Sequence, residues 1–542
     1  MLLLMPSWVA AQDEPPGFAA VIERIATREK ANMLVLRRYA PVAETYIQKL
    51  KPDPDLGSVP TGDEYFLGRL DFSEGYPTDR SFMKKKGFGG RLAQKLTGMY
   101  KLHFLPLGFM QMMILDADGL DSTNYNFKFV RREFVGDVRT LVIDVAPKEP
   151  KDRGRFIGRI WVEDQEYNIV RFNGSYSKAP RGKVYLHFDS WRLNLQPNLW
   201  LPAYVYTEES DLEYAMFRSV TFKAQTRLWG YDLKAAGRRE EFTSITVESE
   251  NVADGSEAGR DLTPVESTRA WERMAEDNVV DRLEVAGLVA PQGEVDKVLQ
   301  TVVSNLEITN ELNLDPQVRA RVLLTAPLES FTVGRTIVVS RGLVDVLPDE
   351  ATLAAVLAHE LAHVVLGHRL DTKYAFSDRM IFPDEEAFMH MGFSHDGRQE
   401  AEADAKALEM LKKSPYGTDE KLQQVGLFLK QLNVRKQALP NLLKAHVGDS
   451  MLSGNDLRLA QLAPTGPELQ TRSTEQIAAL PLGARVKLDP WSNRIELVKT
   501  PIVPLVSPKE KMPFEVTPVF PYVTRSISGT ANSTDAAATA TR

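Results

Sequence analysis

The chain contains no cysteine among its 542 residues. This absence excludes disulfide bonds, thiolate zinc sites, cysteine nucleophiles and a lipid anchor attached to a lipobox cysteine. Histidine is also scarce, with eight residues in the whole chain. Histidines at a spacing typical of a metal site therefore carry more information here than they would in a histidine-rich protein.

Long apolar runs and an excess of positive charge are missing too. No stretch beyond the N-terminus approaches the roughly 18 apolar residues that a transmembrane helix needs, so the sequence predicts no transmembrane segment. The formal net charge is −7, which argues against nucleic-acid binding. The hydrophobic content of 43% and charged content of 26% are ordinary for a soluble globular protein.

The N-terminus is the one strongly apolar segment. Residues 1–11 read MLLLMPSWVAA and precede the polar stretch QDEPP. An apolar stretch that ends in small residues resembles the core and cleavage end of a signal peptide, here without a basic start. The sequence predicts an exported protein, periplasmic or extracellular, and a cytoplasmic protein with an apolar terminus is the alternative.

One segment has two histidines at a spacing typical of a metal site, His359-Glu360-Leu361-Ala362-His363. Residues 351–366 contain neither glycine nor proline, and their apolar residues recur at three- and four-residue steps, which predicts a helix that starts at Asp349-Glu350 and ends at Gly367. Histidines four apart share one face of a helix and can reach the same metal ion. In zinc peptidases such a pair is joined by a third ligand from elsewhere, and the intervening glutamate takes a proton from the attacking water.

The third ligand is not fixed by this motif. A longer signature, H-E-x-x-H-x-x-G-x-x-H, would need glycine and histidine where Leu366 and Arg369 stand, so that class is rejected. His368 is interpreted as a polar residue at the helix end. Glu400 and Asp404 lie four apart on a predicted helix over residues 400–411, while Glu402 points away from their face.

Two interpretations of this acidic helix remain open. In one, a carboxylate binds the metal and the other accepts an N–H from a ligand histidine. In the other, Glu400 and Asp404 form a solvated helix face.

The segments AVLAHELAHVVLGH and RQEAEADAKAL resemble the HtpX-like and CaaX-prenyl-endopeptidase type of gluzincin zinc peptidase. The resemblance covers roughly residues 290–465, and Thr336–Leu343 is similar to the strand before the metal helix of that family. It implies that one zinc ion per chain is bound by His359, His363 and Glu400. It also implies that Glu360 is the general base and that Asp404 supports a ligand.

The sequence departs from this family at two places. Glu329-Ser330-Phe331 stands where an Asn-Ala-Phe-like segment is common, and Val447 follows His446 where a His-Pro pair is expected. His446 is the candidate for stabilising the transition state. A surface or core histidine is the alternative.

The N-terminal half shows a different pattern. Residues 18–50 predict one or two amphipathic helices with a break at Pro41, and residues 52–75 are turn-rich. Alternating segments between Tyr125 and Trp229 predict an antiparallel curved sheet. Residues 80–235 are weakly similar to the half-barrels of lipoprotein carriers, which would offer an apolar cleft. Packing of the sheet's aromatic residues into a core is the favoured alternative.

The predicted fold class is α+β, with an N-terminal antiparallel curved β-sheet domain with helices followed by a mainly α-helical zincin-type metallopeptidase domain. The predicted divisions are a signal-peptide remnant (1–11), a β-rich domain (12–246), a linker and connector helix (247–285), the metallopeptidase domain (286–470) and an extended segment with a disordered end from Ser526 (471–542).

The function that these features predict is hydrolysis of peptide bonds by a zinc-dependent endopeptidase. The expected partner is an unfolded or extended polypeptide that pairs with the strand Thr336–Ser340. No nucleic acid is expected, and contact with a membrane surface or an envelope protein is a further expectation. The alternatives are a non-catalytic hydrophobic-ligand or lipoprotein-binding protein and a chaperone with a metal-stabilised, peptidase-like domain. Residues 370–399 are either a lid over the site or an ordered loop-helix.

Overall fold

The computed structural model describes residues 17–53, 57–71, 78–81, 112–116, 119–149, 154–177, 186, 188–214, 218–231, 264–370, 375, 388, 393–453, 456–471, 486–489 and 494–497. The predicted signal-peptide remnant, most of the predicted linker and the predicted disordered end lie outside these ranges. Within them, no helix combines the length and the apolar character needed to cross a membrane.

The N-terminal region is an antiparallel sheet, with ten strands among the described residues, and helix α1 (Phe18–Leu36) packs on one face. In chain order the strands are β1 (Val42–Asp53), β2 (Gly57–Asp71), β3 (Thr78–Ser81), β4 (Tyr125–Val135), β5 (Val138–Pro147), β6 (Phe156–Glu163), β7 (Ile169–Tyr176), β8 (Phe188–Gln196), β9 (Leu199–Tyr214) and β10 (Arg218–Trp229). They lie side by side as β3-β2-β1-β10-β9-β8-β7-β6-β5-β4. The predicted antiparallel sheet is therefore confirmed.

Two local predictions are wrong. Tyr46 and Ile47 lie in β1 and not in a helix. Successive residues of a strand point to opposite faces, and these two do so, because Tyr46 joins the core of the C-terminal region while Ile47 packs with α1. Residues 57–71, predicted as turns, form β2, and Pro60 is tolerated next to a register shift opposite Leu50.

The sheet is buried on both faces where β1, β2 and β10 meet. One face packs against α1, and the other contributes to the core of the C-terminal region through Val42, Tyr46, Tyr65, Leu67 and Trp229. Phe172 and Trp200 are also buried. For the described aromatic residues, core packing is therefore the better interpretation. One face of the sheet belongs to the same core as the C-terminal region, and the other face forms a separate core with α1.

The C-terminal region combines helices with a second sheet. Its helices are α2 (Pro264–Val285), α3 (Glu294–Thr309), α4 (Arg341–Val346), α5 (Glu350–Leu366), α6 (Gly397–Lys413), α7 (Asp419–Arg435), α8 (Pro440–Leu443) and a 3-10 helix (Ala460–Thr465). Its short strands are β11 (Arg319–Leu323), β12 (Glu329–Val333), β13 (Thr336–Ser340), β14 (Asp449–Ser450), β15 (Leu452–Ser453), β16 (Asp456–Leu457), β17 (Val486–Asp489) and β18 (Arg494–Leu497). The prediction of a mainly α-helical region is thus correct in part.

The second sheet has the order β11-β13-β12-β14. Strand β13 is parallel to β11 and antiparallel to β12, so both of its edges are already paired. The expectation that Thr336–Ser340 pairs with substrate is wrong for this reason. Strand β12, which the sequence did not reveal, lies beside the metal helix α5.

Two buried carboxylates of the sheet domain accept hydrogen bonds from the backbone of the C-terminal region. Asp63 of β2 accepts hydrogen bonds from the backbone N–H groups of Asn441 and Leu442 at 2.9 and 2.8 Å. Glu44 of β1 accepts one from the backbone of Ala326 at 2.6 Å. The bonds of Asp63 and Glu44 fix the two regions relative to each other. Close to this junction but within the C-terminal region, Glu329 of β12 accepts three backbone hydrogen bonds, from the consecutive residues His446, Val447 and Gly448.

Candidate metal site

Helix α5 places the H-E-x-x-H motif in the core of the C-terminal region. The helix begins at a capping box in which the Asp349 carboxylate accepts from the Thr352 backbone N–H and the Thr352 hydroxyl accepts from the Asp349 N–H. It ends at Gly367, which adopts a left-handed conformation with a φ of 71°. His359, Glu360 and His363 are buried within it, so the predicted helix and its two ends are confirmed.

Helix α6 faces α5 and supplies the acidic residues. Its N-terminus is capped by Asp396, which accepts hydrogen bonds from the backbone N–H groups of Arg398 and Gln399. Glu400 and Asp404 then lie one helical turn apart and both contact α5. Their positions agree with the metal-site interpretation, and the solvated-face alternative is wrong for Glu400, which is buried.

The side chains of His359, His363 and Glu400 converge, and together they form a group that could hold a metal ion. The Nε2 atoms of the two histidines are 3.1 Å apart, and they lie 3.4 and 3.5 Å from the two Glu400 carboxylate oxygens. Metal–ligand bonds of about 2.0–2.2 Å in a tetrahedral site separate ligand atoms by about 3.3–3.6 Å. The donor set of two imidazoles and one carboxylate therefore fits zinc, with the fourth position left for water or substrate.

The Nδ1 atom of each of the two histidines contacts a further side chain. Nδ1 of His359 lies 2.8 Å from an Asp404 carboxylate oxygen. Nδ1 of His363 lies 3.0 Å from Nδ1 of His368, whose Nε2 lies 3.3 Å from the Glu402 carboxylate. The interpretation of His368 as a plain helix-end residue missed this contact, and so did the orientation assigned to Glu402.

The Glu360 carboxylate is held by residues of the neighbouring strand β12. Its Oε1 accepts from the Ser330 hydroxyl at 2.7 Å, and its Oε2 accepts from the Thr332 hydroxyl at 2.8 Å. Residues two apart on a strand share a face, so Ser330 and Thr332 reach the carboxylate together. The sequence showed the alternation of polar residues in this segment but not its distance from Glu360.

Arg458 is the site residue that sequence reasoning missed entirely. Its buried guanidinium donates to Glu360 Oε1 and to Glu400 Oε2, both at 2.9 Å, and to Ser330 Oγ at 3.0 Å. Its Nη2 also lies 3.5 Å from an Asp449 oxygen. Arg458 follows β16, far from the motif in sequence, and the only signal was a lone basic residue in an apolar segment.

His395 completes the cluster beside His363. The two rings stack with centroids 3.9 Å apart, and Nδ1 of His395 donates to Asp449 at 2.9 Å. His395, Asp449 and Glu400 also lie close enough to form a second group of candidate ligands. Because Arg458 already supplies positive charge to Asp449 and Glu400, we interpret this group as part of an ion-pair network.

The electrostatic balance favours the metal-binding forms of His363, Glu400 and Glu360 but not of His359. Burial lowers the pKa of His359, and the contacts with Asp404 and Glu400 outweigh burial and raise it. Burial lowers the pKa of the His363 imidazole to about 3, against the opposing charge of Glu360. Burial raises the pKa of Glu400, but Arg458 and the ligand histidines outweigh it and hold that pKa well below its usual range. The pKa of Glu360 is lowered in the same way, chiefly by Arg458. A neutral imidazole and ionised carboxylates are the forms that coordinate a metal ion.

His446 has different surroundings. Its Nε2 lies 2.9 Å from the Asn441 carbonyl oxygen, and its ring packs in a tilted arrangement against Tyr65 of the N-terminal sheet, at a centroid distance of 4.4 Å. Burial lowers the pKa of its imidazole. These contacts belong to the junction between the two regions, and a role for His446 in the transition state stays a prediction.

The segment predicted as a lid or a loop-helix is described only in part. Phe388 and Phe393 are buried, and the Phe393 ring lies 5.1 Å from that of Phe331 in β12. Ala375 is buried as well, and its carbonyl oxygen accepts from Arg282 at 3.3 Å. The described residues of this segment thus pack beside the site, and the choice between the two interpretations stays open.

Comparison with known proteins agrees with this geometry. Residues 290–382 match the family model described as Peptidase family M48. The matched range contains His359, Glu360 and His363, and it ends before Glu400. No curated protein sequence matches the chain. Over the matched residues the C-terminal region is therefore similar to the metallopeptidases of this family.

Proposed function

We propose that this protein is a zinc-dependent endopeptidase in which His359, His363 and Glu400 hold the metal and Glu360 is the general base. The observation that carries the proposal is the convergence of the three donor groups. The two histidine Nε2 atoms are 3.1 Å apart and lie 3.4 and 3.5 Å from the two Glu400 oxygens, close to the ligand spacing of a tetrahedral site. The Glu360 carboxylate lies on the same helix between the two histidines. Asp404 orients His359 through the bond to Nδ1. The match to Peptidase family M48 supports the reaction class.

Zinc, when bound, supplies a Lewis acid that activates water and polarises the scissile carbonyl. Glu360 would take the proton of the attacking water and pass it to the leaving amine. A carboxylate has about four lone-pair positions. Oε1 uses two for Ser330 and Arg458, while Oε2 uses one for the Thr332 hydroxyl. Among the described residues, Oε2 therefore keeps one position for the water proton.

The test compares wild-type protein with Glu360→Gln, which keeps the shape of the side chain but cannot act as a base. Zinc content is measured by elemental analysis and cleavage is measured on casein, an unfolded substrate. We expect unchanged zinc content and a loss of activity of about 10²–10⁴-fold. Glu409→Gln, a change at an exposed position of α6, should leave both values at the wild-type level.

Equal cleavage by wild type and Glu360→Gln would contradict the proposal. Bound zinc without cleavage of any unfolded substrate by the wild type would instead favour the alternative of a ligand-binding or chaperone protein with a metal-stabilised, peptidase-like domain.

The biological setting is a further part of the proposal. An exported endopeptidase with an unfolded or extended polypeptide as substrate would suit the removal of misfolded envelope proteins. This rests on the apolar, signal-like residues 1–11. Cell fractionation with N-terminal sequencing of the purified protein tests it. A cytoplasmic protein that retains residues 1–11 would contradict export.

A further inference from the structure

The two ligand histidines are supported in different ways. A histidine that binds a metal through Nε2 carries its proton on Nδ1, and that N–H needs an acceptor that fixes the ring. For His359 the acceptor is the Asp404 carboxylate at 2.8 Å. For His363 the atom at this position is Nδ1 of a third histidine, His368, at 3.0 Å. The resemblance to zinc peptidases assigns no role to His368.

Local backbone structure brings His368 to this position. Gly367 has a φ of 71° and reverses the chain at the end of α5, a conformation that glycine adopts without steric cost. The backbone N–H of His368 then donates to the His363 carbonyl oxygen at 3.0 Å. The His368 ring therefore folds back onto the ring of the ligand five residues earlier.

A single arrangement of protons satisfies the whole chain of contacts. If Nδ1 of His363 donates, Nδ1 of His368 must accept, and the His368 proton must lie on Nε2. That nitrogen lies 3.3 Å from the Glu402 carboxylate, which accepts it. The other Glu402 oxygen accepts from Arg398 Nε at 2.8 Å. The chain of contacts thus runs from the metal ligand to the surface of α6.

Helix α6 therefore contributes three acidic residues to the site. Glu400 is a ligand candidate, Asp404 contacts His359 directly, and Glu402 acts on His363 through His368. The Glu402 side chain is 43% exposed and that of Asp404 is 22% exposed. Because water competes for an exposed carboxylate, the contribution of Glu402 should be smaller than that of Asp404.

We propose that His368 and Glu402 are positioning residues of the metal site, which fix the tautomer and the ring orientation of His363. This inference rests on the proposed zinc site. Loss of such an outer partner typically weakens metal binding 10–100-fold. The effect should therefore appear in the zinc dissociation constant, and activity at saturating zinc should change less.

The experiment measures the zinc dissociation constant of the purified full-length protein by competition with a chromophoric chelator at fixed pH. His368→Leu removes the acceptor and should raise the constant about 10–100-fold. His368→Asn can place its side-chain oxygen near the position of Nδ1, so part of the affinity should return. Glu402→Gln should raise the constant less than His368→Leu does. The exposed Glu409→Gln on the same helix should not change it.

Absorption spectra of the cobalt-substituted protein provide a second readout, because they report the ligand geometry directly. A His368→Leu protein with wild-type zinc affinity and an unchanged cobalt spectrum would overturn the inference. If this variant does not fold, the His368→Asn and Glu402→Gln proteins decide the question, and wild-type affinity in both would overturn it. Failure of the wild type to bind zinc would instead reject the proposed function.

Discussion

Carboxylates are buried in two regions of this molecule, the metal site and the junction between the N-terminal sheet and the C-terminal region, and their partners differ. At the junction, Asp63 accepts from two backbone N–H groups of the C-terminal region and Glu44 accepts from one, besides their side-chain partners. Close by, Glu329 accepts from three consecutive backbone N–H groups. In the metal site, Glu360 and Glu400 contact only side chains among their described partners, namely histidine, serine, threonine and arginine.

The difference indicates two uses of buried charge. Backbone N–H groups do not titrate and cannot rotate away from the carboxylate as a side chain can, so the junction carboxylates fix the position of the chain. Side-chain partners can share a carboxylate with a metal ion or a water molecule, which a reaction requires. Substitutions in the two regions should therefore differ in which measurement they change and by how much.

The largest effect is expected for Glu400→Ala, which removes the proposed carboxylate ligand from the candidate metal site. Zinc affinity should fall by more than the 10–100-fold that is typical of an outer partner, and casein cleavage should fall with it. Chelator competition measures the first quantity. Zinc occupancy equal to that of the wild type would show that Glu400 is not a ligand.

A large loss of stability is expected for Arg458→Gln when a chelator is present. The change leaves the buried carboxylates of Glu360 and Glu400 without their nearest positive charge, and breaking a buried ion pair costs about 3–5 kcal/mol. Urea unfolding gives the free energy of unfolding. Saturating zinc should restore part of it, because the metal neutralises the same carboxylates. A cost that zinc does not reduce would contradict this account, and Lys413→Gln on the surface of α6 is the control.

A smaller loss of stability, without loss of zinc affinity, is expected for Asp63→Ala at the junction. The change leaves the buried N–H of Leu442 without an acceptor, at a cost of about 1–3 kcal/mol, whereas water can replace the acceptor of the half-buried Asn441 N–H. Urea unfolding and chelator competition on the same sample separate the two effects. A weakened zinc site in a folded Asp63→Ala protein would show that the two regions are not independent in function.

The smallest effect is expected for Glu64→Gln, next to Asp63 on β2. Its carboxylate pairs with Lys49 at 2.7 Å, but the Lys49 side chain is half exposed. Such surface pairs contribute about 0–1 kcal/mol. The free energy of unfolding of the variant in urea should therefore equal that of the wild type to within this range. A larger loss of stability would show that Glu64 matters as much to the fold as Asp63.

Patterns that are local in sequence led to correct predictions. The helix of H-E-x-x-H, its capped start and its glycine end depend on neighbouring residues and are present as predicted. The one-turn spacing of Glu400 and Asp404 likewise follows from helical geometry. The same reasoning failed for Tyr46 and Ile47, where an apolar pair fits a helix or a strand equally well. Pairing with β2 and β10 decided for the strand.

The sequence by itself determined the ligand helix, the reaction class that its motif indicates and the antiparallel sheet of the N-terminal region, because each depends on the period of neighbouring residues. Only the tertiary structure decided the surroundings of Glu360 and His363. Ser330 and Arg458 contact Glu360 although they lie 30 and 98 residues away in the sequence. Glu402 contacts His368, the partner of His363, from 34 residues away. No period in the sequence encodes such distances, since they result from how the second sheet and α6 pack against α5.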